Sequence, residues 1–147
     1  MIIINILKQT LYLHNTNNNI IAEYPISSAA KGVGEIKGSN QTPRGLHTIY
    51  QKIGENSPIF SVFKGRNPTG EIWNQVDTTT DLILSRILWL QSDMTALDRY
   101  IYIHGTNDEK NIGKPRSHGC IRMRNLDVIE LFDRVSEGDT VLIKENI

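Results

Sequence analysis

The segment Ile101–Met123, IYIHGTNDEKNIGKPRSHGCIRM, holds the chain's single cysteine, Cys120, and two of its four histidines, His104 and His118. A free thiol has a pKa of about 8.5, so it attacks a carbonyl near neutral pH only when an imidazole takes its proton or a positive environment holds the thiolate. His118 precedes Cys120 by two residues and in an extended segment shares its face. His104 reaches the sulfur only if the intervening loop folds back. Gly119 removes a side chain where a substrate backbone must approach. The backbone N–H groups of Gly119 and Cys120 are candidate donors to the oxyanion formed on attack.

Other chemistries compete for these residues. A lone cysteine is by default a small buried hydrophobe, and a histidine is more often structural than catalytic. Zinc is the weaker reading of His104, His118 and Cys120, because a structural site usually takes four N/S ligands and a second cysteine is missing. No metal or cofactor is expected. An activated thiol is also oxidisable, but no resolving cysteine is present in the sequence to complete a redox pair.

Short strands must position this chemistry. Apolar runs at Ile2–Leu7, Leu11–Leu13 and Ile20–Tyr24 read as antiparallel strands, the last two joined through the asparagine-rich His14–Asn19. Ser27–Gly45 carries four of the eleven glycines and reads as a long functional loop. Strand candidates follow at Leu46–Lys52 and Ile59–Phe63, then the Gly/Pro-punctuated Lys64–Gly70. Asp81–Gln91 fits a buried strand or a helix. Tyr100–His104 is β-prone and leads into a loop over Gly105–Gly119. Val128, Leu131, Phe132 and Val135 fall at i, i+3, i+4 and i+7, which predicts a helix capped by Asn125 and stopped at Glu137-Gly138, before a last strand at Thr140–Ile143. The expectation is one mainly β (β-rich α+β) domain over residues 1–147, with long loops and a helix after the cysteine.

Sixteen basic and sixteen acidic residues balance, which argues against a broad nucleic-acid or anionic-lipid surface. No apolar run approaches a membrane span. Met1–Lys8 makes a poor secretion signal, since no positive charge precedes an apolar run that Asn5 interrupts.

His104-Gly105, a spacer and Ser117–Met123 (SHGCIRM) together resemble the active-site signature of the YkuD-type L,D-transpeptidase family. Gln41–Gly45 (QTPRG) resembles its TPxG element, and Gly65–Trp73 and Ile101–Thr106 are also similar. The resemblance implies a β-sandwich catalytic domain in which Cys120 attacks the L,D-peptide bond between meso-diaminopimelate and the terminal D-alanine of a peptidoglycan tetrapeptide, leaving a thioester. It implies that His104 is the base, oriented by the Gly105 carbonyl, and that His118 shapes the pocket. Ser117, Gly119 and Arg122 complete the motif. Many relatives carry asparagine where Arg122 stands; a substrate carboxylate and a structural ion pair are equal expectations for it. Arg44 and Trp73 are further candidates for the cleft, with plain packing as Trp73's alternative.

The thioester is resolved by an amine, giving a 3,3 cross-link, or by water, giving a tripeptide. The weak export signal favours a cytoplasmic location, or a periplasmic one by an unrecognised route. It favours soluble muropeptides as substrates and hydrolysis as the outcome, an L,D-carboxypeptidase. A muropeptide-binding module without activity is the outside alternative, which the intact His104 and Ser117–Cys120 set argues against.

Overall fold

Alternating apolar residues set the first strands. The computed structural model describes residues 1–146, and in it β1 (Ile2–Asn5) pairs antiparallel with β2 (Thr10–His14), Ile2 opposite Leu13 and Ile4 opposite Leu11. All four side chains are buried, because a period of two places them on one face. The expected hairpin into β3 (Ile20–Ser27) forms. Asn15 Oδ1 accepts from the N–H groups of Asn17 and Asn19, and Asn18 takes a φ of 63°, a conformation asparagine tolerates.

The remaining strands are β4 (Gly45–Ile53), β5 (Ser61–Lys64), β6 (Asn67–Ile72), β7 (Ile83–Gln91), β8 (Ile101–Thr106), β9 (Ile121–Met123) and β10 (Thr140–Lys144), with one helix, α1 (Asn125–Arg134). Their order is β4-β10-β1-β2-β3-β9-β8-β7-β5-β6, and β4 also pairs with β7. The expected mainly β domain therefore closes on itself: the strands from β4 round to β7 form a ring without a free edge, and the β5–β6 hairpin projects from β7.

Asp81–Gln91 resolves as strand because β7 is gripped on both sides, by β4 and β8, and such pairing overrides local ambiguity. Lys64–Gly70, expected to be irregular, contributes instead to a hairpin. Its Pro68 is tolerated in β6 because an edge strand needs no donor on its outer side. The predicted helix forms but ends at Arg134, before the expected stop, with Val135 already extended; Val128, Leu131 and Phe132 are buried, each such side chain contributing about 1.5–3 kcal/mol. Asn125, however, is not its cap. Arg124 holds that position, and Asn125 is the first helical residue, fully buried. Its amide donates to Thr106 O and Glu109 Oε2, both at 2.8 Å, and its Oδ1 accepts from Ser85 Oγ at 2.7 Å. These buried tertiary partners outcompete a local cap, and Glu109 Oε2 takes over by accepting from the Asn125 N–H at 2.8 Å.

Candidate active site

The device that folds His104 back toward Cys120 is a parallel strand pair. β8 and β9 lie side by side with Ile103 opposite Ile121, His104 opposite Arg122 and Gly105 opposite Met123. Alternation buries Ile101, Ile103, Ile121 and Met123 in the main core, which turns His104 and Arg122 to the other face. Tyr102 and Cys120, one step earlier on each strand, pack there with Phe63 and Ile87. Parallel strands need a crossover connection; the loop between the two motif halves supplies it.

Gly105 explains why the histidine is followed by glycine. A Cβ at this position would stand 2.5 Å from both Leu84 O and Asn125 Oδ1. Only a bare backbone lets β8 close against the irregular part of β7, where the register shifts between Leu84 and Ile87 and Ser85 takes a φ of 71°. The Gly105 carbonyl lies 2.6 Å from His104 Nδ1. A carbonyl only accepts, so Nδ1 carries the proton and Nε2 is the ring's basic atom. Gly105→Ala is expected to destabilise the domain by about 1–3 kcal/mol through overpacking, read as a lowered denaturation midpoint at unchanged m-value.

The turn carrying Cys120 is braced from beneath. Ser117 Oγ donates to Cys120 O at 2.5 Å and accepts from the Gly119 N–H at 3.2 Å. Thr42 of the TPRG element donates to Gly119 O at 3.0 Å. Gly119 has a φ of 133°, left-handed territory that favours glycine. Two expectations are corrected here. Ser117 is buried and spends its hydroxyl on the turn, so it braces the cysteine rather than lining the substrate. The Gly119 N–H is held by Ser117 and is not free for an oxyanion.

Electrostatics favour the neutral form of both His104 and Cys120. His104 is buried, and burial pushes its ring below the ordinary histidine range, against the opposing pull of the Gly105 carbonyl and of Asp81. Cys120 is half-buried as a residue, yet its sulfur is desolvated by surrounding atoms, which push the thiol up to about 11, although the Tyr102 N–H acts to lower it. The Sγ stands 3.4 Å from that N–H and donates to Tyr100 O at 3.4 Å. A neutral thiol and a neutral imidazole on one sheet face suit proton transfer during attack, not a preformed ion pair. Alkylation of Cys120 by iodoacetamide is accordingly expected to accelerate by about tenfold per pH unit between pH 8 and 10; a plateau below pH 8 would refute the neutral resting pair.

Arg122 is buried and already paired, with Asp81 at 2.9 Å and Asp108 at 3.5 Å. Of the two expectations for it, the structural ion pair is the one present. His118 points outward, its side chain 74% exposed and Nδ1 3.7 Å from Asp81. Arg44 is corrected from cleft to surface: its guanidinium bonds Glu35 at 2.8 Å and Glu145 at 2.6 Å. Trp73 stacks edge-on against Phe60 and donates to Val76 O, which is packing. Among the described residues, no group of three His, Cys, Asp or Glu side chains is arranged to hold a metal ion. Sequence reasoning missed Asp81, Asp108, Tyr100 and Tyr102. Tyr102 had a signal, two residues before His104 in a β-prone run. Asp81 had none, because its partner is remote in the chain.

The sequence profile of YkuD, the L,D-transpeptidase catalytic domain, matches residues 1–143. The chain belongs to this family. It is 29% identical over 154 residues to the probable L,D-transpeptidase ErfK/SrfK of Escherichia coli, covering 97% of this chain and 43% of that protein. It is 58% identical over 41 residues to the putative L,D-transpeptidase YkuD of Bacillus subtilis, covering 28% of this chain and 25% of that one. The matches cover less than half the length of these two curated relatives. Its fold is similar to that of an L,D-transpeptidase from Mycobacterium smegmatis, with a TM-score of 0.65 at 20% identity, covering 97% of this chain and 57% of that one. In this YkuD-family domain the HG and SHGC elements are the two ends of the β8–β9 crossover.

Proposed function

We propose that this L,D-transpeptidase-family domain cleaves the bond between meso-diaminopimelate and the terminal D-alanine of peptidoglycan tetrapeptides. Cys120 Sγ attacks the carbonyl, its proton passes to His104 Nε2 and on to the departing D-alanine amine, and a thioester remains. The reading rests on one arrangement above all: His104, its Nδ1–H fixed on the Gly105 carbonyl, shares a sheet face with the half-buried Cys120. Water then resolves the thioester, with His104 as base, giving a tripeptide stem. The half-buried Cys120 residue and the outward-facing His118 support access of water. We place this hydrolysis in the cytoplasm, acting on soluble muropeptides.

A second reading, aminolysis by a neighbouring stem, draws support from a polar cleft of about 370 Å³ beside Arg122. Asp77, Asp81 and Asp108 line it against Arg122 and Lys110, a net negative wall that would attract an amine-bearing acceptor.

Purified disaccharide tetrapeptide, incubated with the protein and followed by mass, separates the two. Tripeptide with free D-alanine supports hydrolysis, and a cross-linked dimer supports transpeptidation. No turnover under either condition would overturn the enzymatic reading.

A further inference from the structure

The arginines around Cys120 differ in what holds them. Arg122 is neutralised by Asp81 and Asp108. Arg99 donates to Gly34 O and Gln41 O, and Arg86 to Ser57 O and Ser85 O. Arg66 has no carboxylate within ion-pair distance among the described residues; its hydrogen bond goes to the Tyr102 hydroxyl, at 3.1 Å.

The position of Arg66 is unusual for its type. Gly65 and Arg66 are the two central residues of the β5–β6 turn, between the paired Lys64 and Asn67, and their φ values are 53° and 66°. Tight hairpin turns with two positive φ values favour asparagine and glycine, and an arginine there carries a conformational cost. From this turn the side chain folds back over two rings, its Cζ 4.7 Å from the Trp89 centroid and 4.8 Å from that of Tyr100. Stacking holds the planar fork flat, so less freedom is lost when a ligand binds its edge. Among the described residues, most of its five N–H donors have no protein acceptor.

The same tyrosines flank the nucleophile. The Tyr102 N–H and Tyr100 C=O each lie 3.4 Å from Cys120 Sγ. The free guanidinium is thus seated within one tyrosine side chain of the sulfur. The outward N–H edge of an arginine matches a carboxylate in bidentate fashion.

We propose that Arg66 anchors a carboxylate of the peptide attacked by Cys120, making it a specificity-determining residue for stems with a free carboxylate near the scissile bond. The inference rests on the peptide-cleaving reading above. It transfers to Arg66 the carboxylate contact expected of Arg122, since the Arg122 charge is already paired with two aspartates. The stem offers two sources, the terminal D-alanine carboxylate and the free diaminopimelate carboxylate.

The test is binding without turnover, by calorimetry in the Cys120→Ala background, of tetrapeptide and of two analogues, each amidated at one of these carboxylates. Arg66→Ala is expected to weaken binding of unmodified tetrapeptide by about tenfold or more. Amidation of the recognised carboxylate should cost a similar factor when Arg66 is present and almost nothing in Arg66→Ala. Arg66→Lys, which keeps the charge but not the fork, should recover part of the loss. The analogue that behaves in this way identifies which carboxylate is held. Tetrapeptide binding undetectable in the parent, unchanged by Arg66→Ala, or with amidation costs independent of Arg66 overturns the proposal. Wild-type turnover is measured in parallel. Arg66-dependent binding without turnover would sink the peptide-cleaving reading and keep the anchor; turnover with Arg66-independent binding would do the reverse.

Discussion

Cys120→Ala is expected to reduce tetrapeptide turnover by about 10^4- to 10^6-fold, the scale on which covalent enzymes respond to loss of the nucleophile. The wild-type protein should accumulate a mass adduct one acyl group heavier, and the variant none. Stability should change little. Cys120 is half-buried as a residue and its sulfur's contacts with Tyr100 O and the Tyr102 N–H are both 3.4 Å long, so their removal should cost no more than about 1 kcal/mol. Activity and stability must therefore separate. A variant that lost its fold together with its activity would return Cys120 to the role of a core residue, the reading its composition favoured at the outset.

His104→Ala carries the second-largest expected effect, a loss of about 10^2- to 10^4-fold in single-turnover acylation, the usual contribution of a positioned general base. His118→Ala should stay within about tenfold of wild type, because an outward-facing ring 3.7 Å from Asp81 has only a weak surface interaction to lose. The opposite ranking would exchange the two roles. The pH profile supplies a second check with a definite sign. Burial lowers the His104 pKa, so its basic form persists to lower pH than an ordinary histidine, and the acid limb of acylation should fall below pH of about 6.5. An acid limb above that value would show that the titrating base is not a buried, neutral imidazole.

Much of this site was legible in short stretches of chain. Gly119 reads as clearing space for a substrate backbone and Gly105 as lending its carbonyl to His104, and the structure adds a further reason for each glycine: a φ of 133° at Gly119, and Leu84 O and Asn125 Oδ1 against any Cβ at Gly105. The helix was legible because Val128, Leu131 and Phe132 repeat on one face. Asn125 misled because a good local cap residue is also a good buried hydrogen-bonding residue, and three tertiary partners claimed it. Asp81–Gln91 stayed ambiguous because β4 and β8 decide its conformation from either side.

The sequence by itself determined the chemical types at the site and the mainly β class of the domain, since a thiol, an imidazole, backbone-permissive glycines and period-two alternation are local properties of a chain. Tertiary structure decided the charge and the partner of each group. Burial pushes the Cys120 thiol above the ordinary cysteine range; remote aspartates neutralise Arg122; and a hairpin turn leaves Arg66 without a carboxylate partner among the described residues, stacked on Tyr100 and bonded to Tyr102. Each of these depends on desolvation and on contacts between distant segments, which come into being only when the ring of strands closes.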